Sequence, residues 1–152
     1  ARENLGFEPP IVSDCGSVSA PVLRLLEEDI DLHCLRDLTR GGLATALIEI
    51  AESAGVAMEL EAAAIPVSDP VRGACEILGI DPLYVANEGR FAAIVPESEA
   101  ARALSILREF ENTATLVGSV RSGGAAGSVA LKTMGGSYAL DRIAGEQLPR
   151  IC

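Results

Sequence analysis

The stretch from Asp31 to Glu61 reads as strand, helix, strand, and nothing else in the chain narrows the fold as much. In GGLATALIEIAESAG, residues Leu43, Leu47, Ile50, Ala51 and Ala54 return at helical spacing, and Gly55 is the expected stop. Before it, DLHCLR alternates Leu32, Cys34 and Arg36 against His33, Leu35 and Asp37, a strand that ends at the acid. After it, VAMELE alternates Val56, Met58 and Leu60 against small or charged neighbours, a half-buried strand. A chain that switches between a period of two and a helical period in this way stacks helices on a sheet.

The remaining segments agree. SVSAPVLRLLEED fits a helix capped by Ser19, with Pro21 early and Val22, Leu25 and Leu26 on one face. Ile65 to Gly79 reads as helical after its prolines, with Val71, Ala74, Cys75 and Leu78 on one side. RFAAIVP is a buried strand, and ESEAARALSILREF an amphipathic helix carrying Ala100, Leu104, Leu107 and Phe110. From Ala114 onward, ATLVGSV, SVALKT and SYALD are β-prone runs separated by glycine-rich turns. The expected fold class is α/β, a mixed β-sheet packed with α-helices. Residues 1–144 form the domain and residues 145–152 a mobile, flexible tail, since Gly145 and Pro149 break up the last stretch.

At 152 residues and 49% hydrophobic composition, the chain is the size of one domain with a single core. Twelve Lys and Arg against 22 Asp and Glu give a net charge of -10, a field that repels phosphate backbones and anionic lipids. Nucleic acid and membrane partners are therefore disfavoured, and with no export or spanning segment visible a cytoplasmic location is expected. Cys15, Cys34, Cys75 and Cys152 are too sparse for a disulfide framework, and no paired ligand spacing suggests a metal site. The opening Ala-Arg-Glu-Asn, without methionine, reads as the C-terminal part of a longer protein.

Three places could carry chemistry. In DLTRGGLA a strand passes through a polar and glycine turn into a helix. Free N–H groups at the helix start, Gly41, Gly42, Thr39 and Arg40 would suit an anion. Asp37 would repel that anion unless it binds a metal carried by the anion or orients Thr39 and Arg40; a plain turn with Thr39 as helix cap fits the same residues. In YVANEGRFA, Asn87, Glu88 and Gly89 interrupt an apolar run. A carboxylate partly removed from water there would serve as a proton acceptor, though Asn and Gly also make an ordinary turn. The third place is the terminal GEQLPRIC, where Cys152 could travel between sites and carry an acyl group, or be accidental.

Taken together, RDLTRGGLATALIEIAESAGV, IPVSDPVRGACEILGIDPLYVANEGRF and the terminal LPRIC resemble the C-terminal domain of the HypE family of hydrogenase expression and formation proteins. More broadly, Asp-x-Thr-x-Gly-Gly resembles the aminoimidazole ribonucleotide synthetase superfamily, with Leu38 standing where a proline is usual. The resemblance implies [NiFe] hydrogenase maturation. The terminal cysteine, Cys152, would accept a carbamoyl group from a HypF-like carbamoyltransferase. ATP-dependent dehydration would then give a thiocyanate, whose cyanide passes to iron on a HypC and HypD scaffold. It further implies Glu88 as base, Asn87 as amide-positioning residue, and Thr39, Arg40, Gly41 and Gly42 near phosphate, with Asp37 organising the loop. An N-terminal domain absent from this chain would supply most contacts to ATP and Mg2+ and a homodimer interface, leaving this domain inactive alone. Two rivals remain: an ATP-dependent small-molecule synthetase of the same superfamily, and a non-catalytic docking module.

Overall fold

The computed structural model describes residues 10–121 and 123–142. Four helices, α1 (Ser19–Glu27), α2 (Gly42–Ala54), α3 (Asp69–Leu78) and α4 (Glu97–Arg108), are interleaved with six strands. These are β1 (Cys34–Leu38), β2 (Ala57–Glu61), β3 (Asn87–Ile94), β4 (Gly118–Arg121), β5 (Val129–Thr133) and β6 (Gly136–Ala139). Short 3-10 turns cover Ala62–Ala64 and Pro82–Tyr84. The α/β expectation holds, but the strands divide between two sheets. β1 pairs antiparallel with β3, while the other four run β4-β2-β5-β6. Among the described residues only β2 and β5 are parallel neighbours, so the larger sheet is the mixed one.

Helix α2 is the centre of the larger core. Its Leu43, Ala44, Leu47, Ile48 and Ala51 pack with Met58 and Leu60 of β2 and Val129 and Leu131 of β5. Alternation sends Glu59, Glu61 and Lys132 to the opposite face, where Lys132 Nζ meets Glu61 Oε1 at 3.0 Å and Arg121 pairs with Glu59. A second cluster joins Leu25 of α1 and Ile30 to Ala103 and Ile106 of α4. The β1–β3 pair lies between the clusters. Leu38, Ala92 and Ile94 serve the α2 side, whereas Leu35, Phe91 and Val95 serve the α1 and α4 side. Neighbouring side chains on these short strands therefore reach different layers.

Helix ends and faces depart from expectation by small rotations. The N-cap of α1 is Val18 rather than Ser19, and Leu26 is exposed although Leu25 is fully buried. In α4 the buried residues are Ala103 and Ile106, with Leu107 partly buried beside them, while Phe110 lies beyond the helix and is exposed. In both helices the stripe is narrower than the apolar residues available to fill it. Among the described residues, no helix is long and apolar enough to cross a membrane.

Candidate functional site

Strand β1 ends at Leu38, whose buried side chain fixes where the chain must leave the sheet. Thr39, Arg40 and Gly41 then turn it into α2. Gly41 and Gly42 both have positive φ, 77° and 60°, a backbone that side chains with a Cβ rarely adopt. The Gly42 N–H donates to the Thr39 carbonyl at 3.1 Å and the Thr45 N–H to the Gly41 carbonyl at 3.2 Å. Two sequence expectations change here. Thr39 is not the cap, since Gly41 occupies the N-cap position without a side-chain cap bond. The Gly42 amide is committed to the turn instead of facing an anion.

Opposite this turn, the β1–β3 ladder slips. Asp37 faces Phe91, but the next rung joins Leu38 to Asn87, leaving Glu88, Gly89 and Arg90 bowed out between two rungs. The expected turn before the strand is thus a bulge within it, placed beside the 37–38 peptide. Bulges commonly re-aim side chains at sites of this kind. Glu88 is exposed on the bulge, not partly removed from water as the sequence suggested.

The turn at Pro82–Tyr84 joins the two loops. Asp81 accepts a hydrogen bond from the Leu83 amide at 2.9 Å and so shapes the turn. Asn87 Nδ2 donates to the Val85 carbonyl at 2.8 Å. From the other side Gly42 presses so closely that a Cβ on it would lie 2.5 Å from the Val85 oxygen and 2.6 Å from the Leu83 oxygen. One carbonyl, that of Val85, is therefore shared between the amide-bearing residue and the glycine turn. Gly42→Ala is expected to cost about 2–5 kcal/mol through positive φ and overpacking together. That lowers Tm by roughly 5–20 °C. Gly79→Ala, at φ 66° but with nothing within 4 Å, should show the smaller backbone part alone. Equal losses in the two variants, by thermal melting, would remove the close-approach argument.

The same turn holds the end of the described chain. Tyr84 Oη donates to the Asp141 carbonyl at 2.7 Å. Burial, and then the Asp81 carboxylate, push the Tyr84 phenol above its ordinary value, so it remains a donor. Leu140 is buried and its N–H donates to the Val129 carbonyl at 2.8 Å. Arg142 reaches back to α2, pairing with Glu52 and, at 3.9 Å, with Glu49; Glu49 also holds Arg36 at 3.2 Å. The Arg142 hydrogen bond holds the Glu52 carboxyl below its ordinary value. A depressed carboxylate contributes stability above its unfolded value, about pH 4.3, and loses it as pH falls further. The melting difference between Arg142→Ala and the parent chain should therefore be present at pH 7 and shrink by pH 3. A difference that is constant with pH would show that Arg142 acts by packing alone.

Asp37 is exposed, with Arg36 Nη1 3.9 Å away. Thr39 is half-buried, and Arg40 is exposed and engaged in an interaction. Cys152, with the whole segment 145–152, lies outside the described residues. Among the described residues no group of three or more His, Cys, Asp or Glu gathers to hold a metal ion. Cys15 is an exposed thiol, Cys34 half-buried and Cys75 buried. Sequence reasoning missed the 3-10 hub. Its signal was Asp81 before Pro82, a start for a turn, but not for one that touches both loops.

The family described as AIR synthase related protein, C-terminal domain, matches residues 20–130. The chain is 46% identical to the Azotobacter vinelandii carbamoyl dehydratase HypE over 153 residues, covering 99% of this chain and 45% of that protein. It is similar to the crystal structure of hydrogenase maturation protein HypE in complex with ATP. There the TM-score is 0.93 and the identity 44%, covering 99% of this chain and 47% of the other. A HypE–HypF complex matches with TM-score 0.83 and 36% identity, covering 93% of this chain and 47% of the other. The chain thus spans about half the length of the relatives it matches.

Proposed function

The chain belongs to the AIR synthase related protein, C-terminal domain family, and on that premise we propose that it is the C-terminal part of a carbamoyl dehydratase of [NiFe] hydrogenase maturation. The observation that carries this is a 46% identity to a carbamoyl dehydratase over 99% of the chain. In this reading Cys152 accepts a carbamoyl group from a HypF-like partner. Loss of one water converts the thiocarboxamide to a thiocyanate, which delivers cyanide to iron on HypC and HypD. The domain comprises residues 1–144 and the substrate-bearing segment residues 145–152. A separate N-terminal domain contributes most of the ATP and Mg2+ contacts and a homodimer interface.

An amide oxygen is a poor leaving group, and ATP, when bound, would supply the phosphoryl group that turns it into phosphate. The glycine turn fits a phosphate on one count: a 13-residue helix begins there, and helix starts present N–H groups. Thr39, Arg40 and the Gly41 amide steady oxygen atoms where negative charge develops, while Gly42 holds the turn close to the hub. Glu88 takes the nitrogen-bound proton as the carbon–oxygen bond breaks, leaving the nitrile. Asn87, fixed by its bond to Val85, orients the amide. Asp37, exposed beside Arg36, organises this loop.

The test is the mass of the C-terminal peptide of the full-length protein after treatment with carbamoyl donor and a HypF-like transferase, before and after ATP. The expected result is a carbamoyl group on Cys152 that loses one water only with ATP. An unchanged peptide returns the choice to a small-molecule synthetase or a docking module.

A further inference from the structure

The bulge poses a mechanical question. Three residues between two rungs have no ladder partner on β1, yet Glu88 among them must be aimed within a fraction of an ångström to take a proton. The constraint comes from the other side. The backbone of Asp14 and Gly16 lies directly on Gly89: a Cβ there would overlap the Asp14 carbonyl oxygen and sit 2.9 Å from the Gly16 nitrogen. Gly89 does not have positive φ, so glycine is required there for space and not for backbone conformation. The overlying segment has its own shape. The Cys15 N–H donates to Ser13 Oγ at 3.2 Å, and Ser17 Oγ meets Ser19 Oγ at 2.8 Å where α1 begins.

We propose that Asp14–Gly16 is a strap that fixes the bulge from outside, and that Gly89 is a positioning residue that sets the direction of Glu88 by admitting this strap. The proposal rests on the reading of Glu88 as the base. Any side chain at 89 must push strap and bulge apart by about an ångström, a displacement that costs on the order of 100-fold in a reaction needing near-attack geometry. It leaves the sulfur chemistry at Cys152 alone.

The experiment uses full-length protein already carbamoylated on its terminal cysteine, with ATP-driven loss of water followed by mass in a single turnover. Gly89→Ala and a variant lacking Cys15, which shortens the strap, are each expected to slow dehydration roughly 10–100-fold. Carbamoylation rates should stay at the parent value. Gly73→Ala, with nothing within 4 Å of its Cβ position, should behave as the parent. The deciding readout is the double variant Gly89→Ala with Glu88→Gln, expected to be no slower than Glu88→Gln alone, because residues acting through one group are not additive. Multiplying losses would make Gly89 a packing residue and overturn the proposal, as would Gly89→Ala at the parent rate. If Gly89→Ala does not fold, the variant lacking Cys15 decides by the same cycle. Glu88→Gln at the parent rate removes the base reading and this proposal with it; Glu88→Gln slow with both strap variants fast removes this proposal alone.

Discussion

Glu88→Gln is expected to slow ATP-dependent loss of water from the carbamoylated protein by about 100- to 10,000-fold, the range for removing a positioned proton acceptor. Gln keeps the size and hydrogen-bonding reach of the side chain but cannot take the proton. The bulge geometry is carried by Gly89 and the strap, so folding and melting should be unchanged. Carbamoylation of Cys152 should also proceed normally, because it precedes the step that needs a base. Exposure of Glu88 suits this role, since the amide must arrive from outside the described domain. Single-turnover mass measurement separates the steps. A normal dehydration rate in the variant would move proton removal to another group.

The second large effect is expected at the terminus. Cys152→Ala removes the atom that bonds the carbamoyl group, so neither the carbamoylated nor the dehydrated peptide should form, and ATP consumption coupled to dehydration should fall to background. Cys15 makes the control, because it is the exposed thiol among the described residues while Cys75 is buried. Burial raises the Cys75 thiol above its ordinary value, with the Asp81 carboxylate adding to the effect, so it competes poorly as a nucleophile. Cys15→Ser should therefore keep full carbamoylation at Cys152. A synthetase acting on a diffusible molecule would retain turnover in Cys152→Ala. A docking module would bind its partner equally well in both variants, with no mass change in the parent protein.

Residue patterning made α2 and its flanking strands legible because one face of each is covered by a single layer. Leu43, Leu47, Met58 and Leu60 announce themselves through spacing. Val129 and Leu131 do likewise within a run of apolar and small residues. The division into two sheets was not legible. Strand periodicity says which face is buried, not which neighbour supplies the hydrogen bonds, and β1 and β2 look alike until β3 claims one and β5 the other. At the site, Asp37, Thr39, Gly41, Gly42, Asn87 and Glu88 could be named from local chemistry. The reason Gly89 is glycine could not, because its crowding partner lies far earlier in the chain, in an opening segment that reads as irregular.

The slip of the β1–β3 ladder also has an arithmetic side. Facing residues on paired strands point to the same layer, so Asn87, opposite Leu38, belongs to the α2 layer. Counted back along an unbroken β3 from Phe91 and Val95, residue 87 would instead belong with them in the α1 and α4 layer. An odd number of inserted residues is what carries it across. The bulge is thus a parity element: its unpaired residues break the alternation of β3, so that the amide faces Leu38 and lies in the α2 layer.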